Sequence, residues 1–239
     1  MGRFLRAGAL AGGAGGLALA LFLRIVGEGS IGDAIALERS RNGVHHEMFS
    51  RGTQQIGGML GAVIYGVFMG LVFGVLFAAV RHRLAARDDW RRSLHVAAVG
   101  FVTISLVPFL KYPANPPSVG SPDTIGRRTA LYLLVLAWSV VTTWAGWRVW
   151  TWLCQRGVDE QLRVASTVGL VLGMVAFVYA VLPGSPDPVT APAQLIWRFR
   201  VATIGGAAIY WLVLGSTMGA LLTGAARRPA STQPSTAGA

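Results

Sequence analysis

The sequence predicts an all-α integral membrane protein, a polytopic bundle of about six transmembrane helices. Of its 239 residues, 13% are charged and 53% are hydrophobic, whereas soluble domains carry about 25% charged residues. No charged residue occurs between Arg51 and Arg81, and an uncharged apolar run of this length suffices to cross ~30 Å of hydrocarbon. Glycines recur four or five residues apart within that run, a spacing that lets two membrane helices pack closely.

Six apolar runs follow one another, and we predict that residues 1–224 form a single transmembrane domain. The first run follows Arg6 and could be a signal peptide, but its length and its glycines four residues apart favour an uncleaved helix. The third run is short, and the fourth ends among tryptophans, which concentrate at membrane–water interfaces. A Pro, Ser, Thr and Ala tail, residues 225–239, cannot build a core and is predicted to be disordered. The predicted helices occupy residues 7–23, 56–80, 93–110, 129–147, 164–182 and 201–222.

The connecting segments predict the orientation in the membrane. The net charge is +11, but the basic residues lie in short clusters between apolar runs, as the positive-inside rule produces, so nucleic-acid binding is not expected. Six spans place both termini on one side. That side holds 12 basic and 4 acidic residues, and the other side holds 9 basic and 6 acidic residues. We therefore expect a multi-pass protein of the cytoplasmic (inner) cell membrane with both termini in the cytoplasm and the lipid bilayer as its surroundings.

A polar loop is predicted after the first helix, over about residues 27–55, and it holds the best metal-ligand candidates. His45, His46, Glu47 and Glu38 supply imidazole nitrogen and carboxylate oxygen, which divalent cobalt and nickel accept as ligands. Adjacent histidines point in different directions on a regular helix or strand, so both would bind one ion only in a loop or between protomers. Two solvated histidines in an exterior loop remain the alternative.

The remaining polar residues give little support to catalysis. His95 lies one turn inside the third helix and is either an interfacial side chain or a residue facing a polar path. No helix core contains an aspartate or glutamate, no phosphate-binding glycine loop is present, and Cys154 is the single cysteine. We therefore expect neither an enzyme nor a bound cofactor. The glycine rows of the first, second, fifth and sixth helices are expected to pack the bundle.

The order of several short motifs resembles that of the CbtA family of probable cobalt transporter subunits. These motifs are a glycine-rich first helix, His45-His46-Glu47, the Gly52–Gly58 entrance to the second helix, two proline-rich loops, and Trp197-Arg198-Phe199-Arg200 at the last helix. The resemblance implies an inner-membrane protein that supplies Co²⁺ for cobalamin synthesis. It also implies a small single-span, histidine-bearing partner (CbtB), and a homo-oligomer is compatible with it. A non-transporting scaffold that binds a partner membrane protein is the alternative function.

Overall fold

The computed structural model describes residues 1–42, 50–86, 88–117, 119–187 and 191–226, and these ranges contain helices and no strand. Two helices pass through a π-helical turn, at Leu23–Gly27 and at Phe101–Leu106. The α-helices are α1 (Gly2–Phe22), α2 (Glu28–Asn42), α3 (Arg51–Val80), α4 (Asp89–Gly100), α5 (Val107–Lys111), α6 (Ile125–Gln155), α7 (Glu160–Val181) and α8 (Ala193–Ala226).

Six helical segments are long and apolar enough to cross a membrane, which confirms the predicted all-α, polytopic fold. They are Gly2–Ser40, Arg51–Arg83, Asp89–Lys111, Pro122–Gln155, Glu160–Val181 and Ala193–Gly224. Each segment begins at least four residues before its predicted apolar run, because polar and charged turns continue the helix past its hydrocarbon-spanning part. The last helix runs to Ala226, and residues 227–239 of the predicted tail lie outside the described residues.

The predicted loop over residues 27–55 is wrong for most of its length. The chain stays helical through the π-turn into α2 and ends its helix at Asn42. No proline interrupts residues 1–42, so nothing stops the helix from propagating out of α1. The start of α2 is held to the start of α3, because the Glu28 carboxylate accepts hydrogen bonds from Arg51 Nη2 and Gln55 Nε2, both at 2.7 Å.

The centre of the bundle is an antiparallel contact between α1 and α3 that is made by backbone. Glycines four residues apart on each helix face one another, namely Gly8, Gly12 and Gly16 on α1 and Gly66, Gly70 and Gly74 on α3. A Cβ atom at Gly16 would lie 2.6 Å from the Ala62 carbonyl oxygen, and one at Gly74 would lie 2.5 Å from the Phe4 carbonyl oxygen. Only glycine permits this approach, so the predicted packing role is confirmed for these six glycines, whereas a Cβ atom at Gly57 or Gly61, in the earlier part of α3, would meet no atom within 4 Å.

Helix α8 completes the core, with α1 on one side and α4 on the other. Tyr210 packs on Gly15 of α1, while Gly215 and Gly219 of α8 contact Ala97 and Trp90 of α4. Buried aromatic and aliphatic side chains fill the space between these four helices, including Phe73, Phe77, Trp211, Leu214 and Met218.

The expectation that the fifth transmembrane helix uses its glycines in this bundle is wrong. That helix is α7, and a Cβ atom added at Gly169 or Gly173 would meet no atom within 4 Å. Helix α7 packs against α6 instead, where Trp138 Nε1 donates a hydrogen bond to the Met174 carbonyl oxygen at 2.8 Å. The third transmembrane helix, α4, takes the place beside α8 because its small Ala97 meets Gly215.

Candidate functional site

Of the four predicted metal ligands, one lies in the described residues. His45, His46 and Glu47 lie outside them, and Glu38 is half-buried near the end of α2. Within the described ranges no group of three or more His, Cys, Asp or Glu residues could hold a metal ion. Glu38 is therefore the one predicted ligand that the described residues contain, and the metal site remains a prediction.

Glu38 lines a cavity of about 720 Å³ at the end of the bundle where the two proline-rich loops meet. We call it the proline-end cavity. Its walls come from α2, from the loop after α5, from the start of α6, from the second proline loop and from α8, and they include Tyr112, Asn115, Pro116, Pro117, Arg128, Tyr132, Ser185 and Arg200.

Arg200 reaches the cavity from α8 and is held by the first proline loop. Its Nη2 donates to Asn115 Oδ1 at 2.9 Å, and its Nε donates to the Ala114 carbonyl oxygen at 3.3 Å. Both acceptors are neutral. Arg198, two residues earlier on α8, is exposed, whereas Arg200 is half-buried.

Asp187 joins the two proline loops at the edge of the cavity. Its side chain is buried, forms an ion pair with Arg128 at 3.1 Å, and accepts a hydrogen bond from Thr124 Oγ1 at 2.8 Å. Gly120 lies against this ion pair with φ of +111°, and a Cβ atom there would lie 2.8 Å from Asp187 Oδ2. Asp187 therefore secures the neighbouring loop.

Two more side chains of the first proline segment bind the end of α7. Lys111 Nζ donates to the carbonyl oxygens of Tyr179 and Leu182 at 2.9 and 2.8 Å, which satisfies acceptors that a helix C-terminus leaves free. Burial raises the pKa of the Tyr112 hydroxyl, and the charge of Arg127 offsets this only in part. The hydroxyl stays protonated and donates to the Pro183 carbonyl oxygen at 2.7 Å.

A second cavity of about 320 Å³ lies deeper in the bundle, between the two π-helical turns. Its wall includes Leu23 and Gly27 from the first turn and Ser105 from the second, with Tyr65, Tyr210 and Trp211 beside them. Trp211 Nε1 donates to Ser105 Oγ at 3.0 Å, and Tyr210 Oη donates to the Gly66 carbonyl oxygen at 3.1 Å. The inner cavity has no charged residue in its wall, so it offers an ion only neutral oxygens.

The remaining histidines do not add to a site. His82 and His95 are both exposed near the far end of the bundle from the proline loops. His95 faces away from the packed helices, which favours the interfacial interpretation over a residue that faces a polar path.

Sequence reasoning missed the positions of Arg200, Asn115 and Arg128 around one cavity. Arg200 lies more than seventy residues after Asn115 and Arg128 in the chain, so no local spacing could reveal the meeting of α8 with the loop. The one available signal was the repeated Ser-Pro-Asp, at residues 121–123 and 185–187, which does place the two loops together.

Comparison with known proteins identifies the family from nearly the whole chain. The family described as probable cobalt transporter subunit (CbtA) matches residues 1–223. No curated protein and no solved structure matches the chain. The match spans all six membrane-crossing segments and both proline loops, together with the cavity between them. The chain belongs to the CbtA family of probable cobalt transporter subunits.

Proposed function

We propose that this chain is the membrane-embedded subunit of a Co²⁺ uptake system that supplies cobalt for cobalamin synthesis. Membership of the CbtA family is the observation that carries the proposal. Six apolar helical segments, with a cavity at one end whose wall includes Glu38, Arg128 and Arg200, are compatible with a protein that receives an ion at a membrane surface.

The proposed location is the cytoplasmic membrane, with both termini in the cytoplasm and the proline-end cavity facing outward. The excess of basic residues on the terminal side supports this orientation. Two of these basic residues, Arg81 and Arg92, form ion pairs with Asp89 at 2.9 and 3.2 Å.

We further propose that His45, His46 and Glu47 collect the ion and that Glu38 receives it at the cavity. Imidazole and carboxylate groups suit cobalt, with water completing the coordination shell. In the sequence the three residues follow the end of α2 within five positions. Glu38 lies one turn before that end, so the proposed ligands occupy consecutive stretches of the chain.

A partner is needed to complete the polar path. The inner cavity offers neutral oxygens only, and no phosphate-binding loop is present to couple nucleotide hydrolysis. The proposed partner is a small single-span, histidine-bearing membrane protein like CbtB, which would add imidazole ligands. A homo-oligomer would be a second way to surround an ion with ligands.

The decisive experiment measures ⁵⁷Co accumulation in cells that lack other high-affinity cobalt uptake. The cells carry an empty vector, this chain, the small partner, or both. The proposal expects accumulation that depends on this chain and rises when the partner is present. Accumulation equal to the vector in every strain, with the protein detected in the membrane, would remove the transport function.

Matched variants then test the ligands. His45→Ala with His46→Ala, and separately Glu38→Gln, should lower uptake at limiting cobalt, because each removes a ligand or charge that concentrates the ion. His82→Ala and Glu160→Gln are the controls, since both residues are exposed at the opposite end of the bundle. Unchanged uptake in the histidine pair across the whole concentration range would remove these residues from the site.

The absence of charge around the inner cavity favours one alternative, a non-transporting scaffold that positions a partner. A scaffold should still recover its partner after loss of His45 and His46, with no effect of this chain on cobalt accumulation. Leucine substitutions at Gly66 or Gly70 cannot test it, because these glycines contact α1 within the same chain. Such variants would report folding of the bundle.

A further inference from the structure

Arg200 is a guanidinium group whose charge is not neutralised by any ion pair among the described residues. It is half-buried in the wall of the proline-end cavity, and its acceptors there are a backbone carbonyl and the Asn115 amide oxygen. Arg128, in the same wall, is paired with the buried carboxylate of Asp187. In the cavity wall, the charge of Arg128 is therefore neutralised by Asp187, whereas Arg200 has no carboxylate partner among the described residues.

The two hydrogen bonds orient Arg200 without using up its donors. A guanidinium has five N–H groups, and these bonds use two of them. The remaining donors include both of those on Nη1. A planar group held in this way is suited to a carboxylate, which accepts two parallel N–H bonds with defined geometry.

Glu38 places the opposite charge in the same cavity, and no ion pair joins it to Arg200. A hydrated divalent cation without an organic ligand is attracted by Glu38 and repelled by Arg200. A simple anion is attracted by Arg200 and repelled by Glu38. A ligand that carries both a cationic centre and a free carboxylate satisfies both walls.

The volume agrees with a ligand larger than a hydrated ion. Six waters occupy roughly 180 Å³ at about 30 Å³ each, and the cavity measures about 720 Å³. Sites for small organic molecules typically have about 300–1,000 Å³.

We infer that cobalt enters this cavity as a chelate with a small carboxylate, with a free carboxylate of the ligand on Arg200 and the metal, through its bound waters, on the side of Glu38. The inference rests on the proposed uptake function and names the form of the substrate. The ligand belongs to the hydroxycarboxylate or aminocarboxylate class, and citrate is its probe. No bond to cobalt changes in this step, so the chelate binds as a unit.

The first test compares uptake of ⁵⁷Co supplied as the aqua ion in carboxylate-free buffer with uptake of ⁵⁷Co supplied as its citrate complex, at equal total cobalt. The unsubstituted chain should favour the citrate complex. Arg200→Gln should lower the citrate-to-aqua uptake ratio at least about fivefold, because a charge-assisted bidentate contact is lost. Arg198→Gln, two residues away and outside the cavity, should leave the ratio unchanged. Preference for the aqua ion, or an equal fall of both forms in Arg200→Gln, would overturn the inference.

Asn115→Asp provides a second variant that keeps Arg200 in place. The substitution replaces the Asn115 amide, whose oxygen accepts a hydrogen bond from Arg200 Nη2, with a carboxylate. The carboxylate neutralises the charge of the guanidinium without removing the group. The citrate-to-aqua ratio should fall as it does in Arg200→Gln. A folded Asn115→Asp protein with an unchanged ratio would contradict the role of the free charge, whatever the stability of Arg200→Gln.

Equilibrium binding to the purified full chain in lipid nanodiscs separates this inference from the uptake function. ¹⁴C-citrate should bind with cobalt in about equal amounts, and Arg200→Gln should weaken that binding about tenfold or more. Binding of the complex without any cellular uptake would support the inference and remove the uptake function. Binding of cobalt without citrate would overturn the inference. So would evidence that Arg200 binds a lipid phosphate, which would appear as loss of co-purifying anionic lipid in Arg200→Gln while citrate binding stays unchanged.

Discussion

The α1–α3 pair and the α6–α7 pair each join two consecutive membrane-crossing segments that run antiparallel, but the two pairs are held together in different ways. Between α1 and α3 the glycines bring backbone against backbone, so that a Cβ atom added at Gly74 would lie 2.5 Å from the Phe4 carbonyl oxygen of α1. Between α6 and α7 large side chains make the contact, with the Trp138 and Phe177 rings 5.4 Å apart and Trp138 bonded to a carbonyl of α7.

The proline loops explain how the second pair keeps its place. Asp187, Lys111 and Tyr112 tie the loop ends and the end of α7 to one another through ion-pair and carbonyl contacts. Tyr179 Oη of α7 in turn donates to the Val107 carbonyl oxygen at 2.7 Å. The core pair therefore depends on the absence of side chains, and the outer pair depends on particular polar ones. Each of the following predictions tests one side of this difference.

The largest effect is expected from Gly12→Leu. A side chain there would collide with the Gly66 carbonyl oxygen and with the Gly70 Cα atom, both backbone atoms that cannot move aside. Helix α1 must separate from α3, so we expect loss of most of the monodisperse protein in detergent size-exclusion chromatography. Gly13→Leu is the matched control, since its nearest neighbour is a Val67 methyl group at 3.4 Å. Equal behaviour of the two variants would show that the glycine row does not set the helix spacing.

A smaller but clear effect is expected from Asp187→Ala. The change leaves the partly buried Arg128 without its carboxylate and removes the acceptor of Thr124. Breaking a buried pair from one side costs about 3–5 kcal/mol, and the partial exposure of Arg128 should place the loss at or below the lower end. Thermal unfolding in nanodiscs measures the loss. Asp123→Ala removes the equivalent residue of the first Ser-Pro-Asp, which is exposed, and should shift Tm far less.

Lys111→Met should weaken only the outer end of α7. It removes two charge-assisted hydrogen bonds to the Tyr179 and Leu182 carbonyls, and bonds to a charged group contribute about 1.5–3 kcal/mol each at most. Hydrogen exchange of the amides at residues 178–186 should rise about tenfold or more, while the α1–α3 amides keep their protection. Arg127→Met, an exposed cation near the same loop, is the control. Faster exchange throughout the chain would show that the two pairs are not independent.

These contacts also show which parts of the fold and of the candidate site could be predicted from the sequence. Six spans and the α1–α3 glycine rows were predictable, because uncharged length and residue size act locally. The place of α2 against α3 was not, since Glu28 is fixed by Arg51 and Gln55 more than twenty residues away. The candidate site divided in the same way. Glu38 was identified by its chemistry, but its place in a cavity opposite Arg200 depends on how α2, α8 and the loop meet.

Gly173→Leu is expected to have the smallest effect, and it is the sharpest test of what glycine spacing means. Gly169 and Gly173 repeat the four-residue spacing of α1, yet no atom lies within 4 Å of either Cβ position. A leucine there enters open space on the apolar face of α7, so Tm in nanodiscs should change by no more than a surface substitution causes, about 0.5 kcal/mol. Gly12→Leu and Gly173→Leu would then differ in outcome with the same substitution and the same spacing. A large destabilisation of Gly173→Leu in the purified chain would show that a second copy covers this face, and its stability would then depend on protein concentration.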